Sequence, residues 1–340
     1  MALTWPVGSL WTSVANVRWL RQLDRRPYHL GVLFDIYGMA LRHSIPPLEY
    51  ALYGFNRPEP RRDAHQYLYW NDMQALPAIN ERRGADNDDV LDKARFAKIC
   101  ERHGLAHVET LAVFDKGRQV FPQTAFELTE EAIWVKPLRF RGEAPGEAWV
   151  RAEGGYGRGD GATLTPTQLR AALGQRDCIV QPLTENHPDL RSVSNRALAA
   201  LRVVTGMNEA GQAEFVVALI GLPHGARASS VRPILCSIEP ETGRIRRATR
   251  LNGEPVDVHP DTGVTLAGVT LPYWRESVEL ARRAHAVAFP RFAFLGWDIA
   301  LTERGPVLLE ANSGWGVMFH QVLDGPIGRT AFSRLVSQYV

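Results

Sequence analysis

The sequence of 340 residues is poor in cysteine and contains no long apolar run. Its three cysteines, Cys100, Cys178 and Cys236, are widely spaced and form no CxxC pair, which argues against a disulfide framework and against a zinc site. No stretch of about 18 consecutive apolar residues is present. The N-terminus also lacks the apolar core of a secretory signal. We therefore expect a cytoplasmic protein without a membrane span.

Lysine is scarce although positive charges are abundant. Lysine and arginine total 39 residues, and only Lys93, Lys98, Lys116 and Lys136 are lysines, which leaves 35 arginines. The formal net charge is only +2, and no basic run is long enough to follow a phosphate backbone, so a nucleic-acid partner is not expected. The four positions that are lysine are therefore candidates for sites that require a compact ammonium group instead of a guanidinium group.

Two common nucleotide-binding signatures are also missing. No GxxxxGK[ST] sequence occurs, which removes the P-loop class. The glycine-rich segment 152–162, AEGGYGRGDGA, is followed by a predicted helix that begins only after Thr165, too late to hold a pyrophosphate. We interpret this segment as a flexible turn.

The remaining pattern predicts an α+β protein with helices at the front. Residues 37–56 have the spacing of a helix, a Pro-Pro break and a second helix, and the charged segment 81–91 is the best candidate boundary. Further helices are predicted at 93–103, 166–173 and 275–288, and strands near 132–136, 178–183, 199–205, 214–221 and 231–238. The predicted units are a helical segment, 1–85, and two mixed units, 86–185 and 186–340.

The pattern of residues 296–316, GWDIALTERGPVLLEANSGWG, predicts two apolar strands joined by a tight turn. The turn Glu303-Arg304-Gly305 has the three-residue form with glycine last, which favours a G1 bulge. A hairpin centred there places Asp298 opposite Glu310, with Asn312 two residues further along the same face.

Two opposed carboxylates repel each other unless a positive charge lies between them. Carboxylate and amide oxygens suit Mg²⁺ that carries nucleotide phosphates, whereas Zn²⁺ prefers His or Cys. Asp298, Glu310 and Asn312 are therefore candidate metal ligands, and a solvated hairpin face is the alternative.

Four further features are ambiguous when each is taken alone. Lys136 ends a strand before a loop and can reach phosphate oxygens, but a surface lysine explains it equally well. Lys93 opens a helix, where phosphate is favoured, although an exposed lysine is the commoner case. The strand end Gln181-Pro182-Leu183 offers an apolar edge and backbone groups to adenine, but a plain strand end explains it equally well. Arg202 lies among apolar neighbours and needs an anion, either a structural carboxylate or a phosphate.

Together these motifs resemble the ATP-grasp superfamily, and most closely its sugar-transfer associated branch, which is related to alpha-L-glutamate ligases. The resemblance covers residues 35–325, and the hairpin is its most specific motif. It is carried by these segments: DKARFAKICERHGL, VKPL, IVQPL, HPDL leading to LRVVT, HPDTG and GWDIALTERGPVLLEANSGWG.

This resemblance implies an ATP-grasp fold of two α/β subdomains that clamp ATP, with the helical segment in place of the usual Rossmann-like domain. It implies that ATP phosphates are held by two lysines, adenine by the strand end, magnesium or manganese by the hairpin and the transferred phosphate by an arginine. The matching positions are Lys93, Lys136, Gln181, Pro182, Leu183, Asp298, Glu310, Asn312 and Arg202, with Lys136 and Arg202 as the catalytic pair.

The sequence departs from the family pattern at three places. The loop after Lys136 reads Arg-Phe-Arg-Gly-Glu instead of small residues, and the segment 224–233, HGARASSVRP, lacks the expected Asp-Asn and Gly-Gly pattern. Two positions just before Arg202 are Ala199 and Ala200 where polar residues are expected. The acceptor side of the site is therefore predicted to be specialised.

The resemblance implies an ATP-dependent carboxylate-amine ligase that forms ADP and an acyl phosphate. Its substrates are expected to be a small carboxylate and an amine, or a sugar or peptide conjugate, in polysaccharide, peptide or natural-product biosynthesis. A kinase acting on a hydroxyl acceptor and a nucleotide-binding protein without turnover are the alternatives. The oligomeric state is left open.

Overall fold

The structure is a computed structural model of the chain that describes residues 11–14, 17, 30–139, 146–195, 197–225 and 233–339. The spacing of residues 14–24 predicts another helix, but this segment falls largely outside the described residues. The segments 140–145 and 226–232 fall wholly outside them. No helix within the described ranges is both long enough and apolar enough to cross a membrane.

The N-terminal part is a set of short helices around an aromatic cluster. The helix–break–helix prediction is confirmed, because the first helix ends at His43 and the second begins at Pro47 and ends at the left-handed Gly54. Tyr53, Phe55 and Tyr67 pack with ring centroids 4.8 to 5.7 Å apart. The helices are α1 (Leu30–His43), α2 (Pro47–Tyr53), α3 (Pro58–Arg62), α4 (Trp70–Met73) and α5 (Ala75–Arg82).

Two helices, α6 (Asp88–Leu91) and α7 (Lys93–Arg102), connect this part to the sheets. Asp92 caps α7, since its side chain accepts hydrogen bonds from the backbone N–H groups of Ala94 and Arg95 at 3.0 and 3.1 Å. Phe96 and Cys100 of α7 are buried in the core of the six-stranded C-terminal sheet. The helix predicted at 93–103 is confirmed. The predicted boundaries near 85 and 185 stay a prediction.

A seven-stranded sheet occupies the middle of the chain, and its neighbouring strands are antiparallel. Its order is β2-β1-β7-β3-β4-β5-β6. The strands are β1 (Ala112–Asp115), β2 (Arg118–Phe121), β3 (Ala132–Pro137), β4 (Glu147–Ala152), β5 (Gly155–Arg158), β6 (Thr163–Leu164) and β7 (Cys178–Pro182). The helix α8 (Pro166–Gly174) packs on it and begins with a capping box formed by Thr165 and Gln168.

The interpretation of segment 152–162 as a flexible turn was wrong, because β5 lies within it. A side chain at Gly155 would overlap the backbone carbonyl of Leu164 on β6. Glycine there serves close strand pairing, which the sequence pattern alone does not distinguish from a turn.

A six-stranded sheet forms the C-terminal half, again with antiparallel neighbours. Its order is β11-β10-β9-β8-β12-β13. The strands are β8 (Ala200–Met207), β9 (Ala213–Leu222), β10 (Ile234–Ile238), β11 (Ile245–Thr249), β12 (Phe294–Thr302) and β13 (Gly305–Asn312). The helix α9 (Trp274–Ala288) covers one face of this sheet, and α10 (Met318–Asp324) and α11 (Ala331–Val336) pack against the other.

Candidate functional site

The β12–β13 hairpin pairs Asp298 with Glu310 and Gly296 with Asn312, as the sequence predicted. The amide of Asn312 donates to Oδ2 of Asp298 at 3.3 Å, so all three polar side chains share one face. The predicted three-residue turn is wrong in detail. Thr302 pairs with Gly305, and the extra residue of the hairpin is a bulge at Leu309.

The bulge at Leu309 turns a backbone carbonyl towards the other sheet. Nζ of Lys136, at the end of β3, donates a hydrogen bond to the Leu309 carbonyl oxygen at 3.3 Å. Trp134 precedes Lys136 by two residues and therefore lies on the same face of β3. The bulge thus joins β13 to β3.

Lys93 reaches the same point from the start of α7. Its backbone N–H donates to the carbonyl of Leu138 at 3.0 Å, which fixes the helix start against the end of β3. Its Nζ lies 3.6 Å from Oε2 of Glu310. Arg139 strengthens this junction, because its guanidinium pairs with Asp92 at 3.0 Å and Asp115 at 2.9 Å. The two lysines are therefore brought together around Glu310.

Arg202 lies opposite Asp298 on β8, the strand next to β12. Its Nη2 donates to Oδ2 of Asp298 at 2.8 Å, its Nε donates to Oδ1, and its Nη1 donates to the Trp315 carbonyl at 3.0 Å. The anion that Arg202 needs is therefore a structural carboxylate in this arrangement. Its expected contact with a transferred phosphate stays a prediction.

The cluster holds three cationic side chains against two carboxylates, so its formal charge is positive by one. The pKa of Lys136 is lowered to about 8, chiefly by burial; the Glu310 charge opposes this decrease and the Lys93 charge contributes to it. Burial acts to raise the pKa of Glu310, but the Lys136, Lys93 and Arg202 charges lower it below its ordinary value. An anionic ligand would offset the excess positive charge.

The strand end of β7 forms the opposite part of the site. The side-chain amide of Gln181 donates to the Val108 carbonyl at 3.4 Å, and the backbone N–H of Leu183 donates to the Ala132 carbonyl at 3.0 Å. The backbone N–H of Leu183 therefore already has a hydrogen-bond partner within the sheet. Pro182 has no N–H.

One cavity of about 660 Å³ between the two sheets collects these residues. Seven of the nine predicted site residues line it: Lys93, Lys136, Gln181, Pro182, Leu183, Asp298 and Glu310. Arg202 and Asn312 contact Asp298 but do not line the cavity. Sequence reasoning missed Trp134, Arg139, Glu185 and Arg191, which also line it, and of these the spacing from Lys136 pointed only to Trp134.

The ligand set fits a nucleotide-bound Mg²⁺ better than an independent metal site. Within the described ranges, no group of three or more His, Cys, Asp or Glu side chains is placed to hold a metal ion. Asp298 and Glu310 supply two carboxylates that face the cavity, and Asn312 adds an amide beside them. Mg²⁺ bound through one or two carboxylates and substrate phosphates requires no more than this.

The model of the sugar-transfer associated ATP-grasp family matches residues 73–335, so the chain belongs to this family and has the ATP-grasp fold. A search of curated proteins found no match.

Solved ATP-grasp structures are similar at low identity. L-amino acid ligase from Bacillus licheniformis is 11% identical, with 69% of this chain and 44% of that chain covered and a TM-score of 0.37. D-Alanine-D-alanine ligase from Helicobacter pylori is 10% identical, with coverage of 74% and 58% and a TM-score of 0.40. N5-carboxyaminoimidazole ribonucleotide synthetase from Thermotoga maritima is 12% identical, with coverage of 71% and 48% and a TM-score of 0.36. The chain spans about half the length of these structures.

Proposed function

We propose that the protein is an ATP-dependent ligase that activates a carboxylate as an acyl phosphate and transfers the acyl group to an amine. The observation that carries this proposal is the meeting of Lys93 and Lys136 with Asp298 and Glu310 in one cavity, opposite the strand end of β7. Family membership supports ATP as the nucleotide.

In this proposal the triphosphate lies between the two lysines. Lys93 and Lys136 belong to different structural elements, α7 and β3, so a phosphate held by both also holds the sheets together. Ammonium groups at this point offset negative charge on the oxygens of the transferred phosphate and of the leaving ADP. Pro182 and Leu183 provide an apolar edge for the adenine ring.

Asp298, Glu310 and Asn312 would hold Mg²⁺ or Mn²⁺, which neutralises phosphate charge when bound. The bidentate contact of Arg202 fixes the Asp298 carboxylate in one orientation. We therefore assign Arg202 a positioning role in addition to the phosphate contact predicted from the family.

The proposed reaction has two steps. A carboxylate oxygen of the substrate attacks the γ-phosphorus, and the bond to the β–γ bridging oxygen breaks to release ADP. The amine then attacks the acyl carbon, and phosphate leaves with one oxygen that came from the carboxylate. The amine loses a proton during this second step. No strong general base is required to generate the nucleophile if the amine arrives neutral.

The test is incubation of the protein with Mg-ATP, a pool of carboxylic acids and hydroxylamine, followed by mass spectrometry. We expect ADP and a hydroxamate. A stable phosphorylated acceptor would indicate a kinase instead, and ATP binding without any ADP would indicate a protein without turnover.

Variants separate the site from general effects on the fold. Lys93→Ala and Glu310→Gln should abolish ADP formation. Lys98→Ala is the matched control, because Lys98 lies exposed on the same helix as Lys93 and does not line the cavity. Near-normal turnover in both site variants would refute the assignment.

We further propose a cytoplasmic location and small-molecule substrates or a sugar or peptide conjugate. The cysteines Cys100, Cys178 and Cys236 are buried and free, as expected for a protein of a reducing compartment.

A further inference from the structure

The cavity has an apolar end next to the charged cluster. On β8, Ala200 and Arg202 lie two residues apart and face the same way, whereas Leu201 and Val203 belong to the core on the other face. Ala200 pairs with Gly221 on β9, and Pro233 precedes β10, the next strand across. Ala200, Gly221 and Pro233 all line the cavity.

We call these three residues, with Leu198 and Pro223, the apolar slot. Its floor begins at Ala200, about 7 Å along β8 from Arg202. From there it extends across the sheet to Pro233 over two strand spacings, which is about 10 Å. The Pro223 wall is held by His259, whose Nε2 lies 3.2 Å from the Pro223 carbonyl oxygen.

The small residues of the slot are not required by the backbone. Gly221 has no positive φ, and a Cβ built there would lie 3.5 Å from Cβ of Pro233, which is an ordinary contact. Ala200 lines the cavity. Its neighbour Ala199 is buried in the core, and its N–H donates to Oδ1 of Asn186 at 2.8 Å.

Charge is absent from the slot within the described part of the chain. Two other charged residues that line the cavity, Glu185 and Arg191, are exposed to solvent. Arg139 is held by Asp92 and Asp115. A charged group carried into the slot would lose its hydration without gaining a partner among the described slot residues.

We infer that the apolar slot binds the body of the carboxylate substrate, and that this body is uncharged and largely apolar, such as an alkyl chain or ring. The inference rests on the proposed ligase function. The carboxylate would lie at the Lys136 and Asp298 end, within reach of the γ-phosphate, and the chain would extend over Ala200 towards Pro233. Each methylene buried there contributes about fourfold to kcat/KM, equivalent to about 0.8 kcal/mol.

The experiment measures hydroxamate formation with Mg-ATP, hydroxylamine and the acids propionate, butyrate, hexanoate and 6-aminohexanoate. We expect kcat/KM to rise about fourfold per methylene from propionate to hexanoate. We expect 6-aminohexanoate, which carries a terminal ammonium, to be at least about tenfold poorer than hexanoate.

The variant Ala200→Leu should lower the hexanoate-to-propionate ratio of kcat/KM about tenfold, because leucine fills the slot. Ala210→Leu makes the same change on an exposed turn and should leave the ratio unaltered. An unchanged ratio in Ala200→Leu, or equal use of hexanoate and 6-aminohexanoate, would overturn the slot while leaving the ligase proposal standing. Failure of every acid to give ADP and hydroxamate would overturn both.

Discussion

Glu49 is a buried carboxyl group where the helical segment meets the C-terminal helices, and its replacement tests how that segment is held. Only 4% of Glu49 is exposed, and its Oε1 accepts a hydrogen bond from the Trp70 N–H at 3.0 Å. Nearby, the side-chain amide of Gln321 on α10 donates to the Tyr53 hydroxyl at 2.9 Å and to the Leu68 carbonyl at 2.8 Å. Titration of Glu49 therefore acts close to this junction.

Burial raises the pKa of Glu49 from 4.5 to about 7, and the Asp72 charge adds to the increase. The folded protein consequently holds the Glu49 proton more tightly than the unfolded chain between pH 4.5 and 7. The free energy of unfolding should fall as pH rises through this window and level off above pH 7. A shift of this size corresponds to roughly 3 kcal/mol.

Glu49→Gln removes the titration and should flatten this part of the pH profile. Urea unfolding of wild type and Glu49→Gln at pH 5 and pH 8 measures it, with Glu59→Gln on the exposed surface of α3 as the matched control. We expect Glu49→Gln to gain stability relative to wild type on going from pH 5 to pH 8. An equal difference between the two proteins at both pH values would refute the reasoning.

Two further substitutions test the packing around β12. Arg202→Met should reduce the free energy of unfolding by about 3–5 kcal/mol, because the buried carboxyl group of Asp298 loses its bidentate partner; a loss below about 1 kcal/mol in urea unfolding would speak against a buried ion pair. Gly296→Ala should cost about 1–3 kcal/mol, since its Cβ would overlap Cβ of Trp315. Thermal unfolding measures this cost, with Gly314→Ala as the control because the space around its Cβ is open. Equal melting temperatures for Gly296→Ala and Gly314→Ala would contradict the close packing at Gly296.

The local sequence pattern predicted the part of the site that lies on one hairpin. Alternation of residues places Asp298, Glu310 and Asn312 on one face of a hairpin, and the structure has that face. The prediction reached the right pair with the wrong bulge, because one extra residue at the turn and one at Leu309 give the same register beyond the bulge. Only the bulge at Leu309 explains the contact with Lys136.

Long-range neighbours could not be obtained in this way. Arg202 was known to need an anion, but the choice of Asp298 depends on β8 lying beside β12, and sequence periodicity does not give strand order. The approach of Lys93 to Glu310 likewise depends on how α7 docks at the end of β3. The family resemblance assigned these residues to one site, but the contacts of Arg202 with Asp298 and of Lys93 with Glu310 come from the structure.

Transfer of oxygen from the substrate acid to phosphate tests the central claim most directly. The protein is incubated with Mg-ATP, hydroxylamine and a carboxylic acid that it converts to a hydroxamate, labelled with ¹⁸O in both carboxylate oxygens. The phosphate released is analysed by mass spectrometry. The proposed acyl phosphate requires one ¹⁸O atom in each phosphate released by wild type, and no labelled phosphate with Glu310→Gln. Unlabelled phosphate formed together with ADP by wild type would contradict the account.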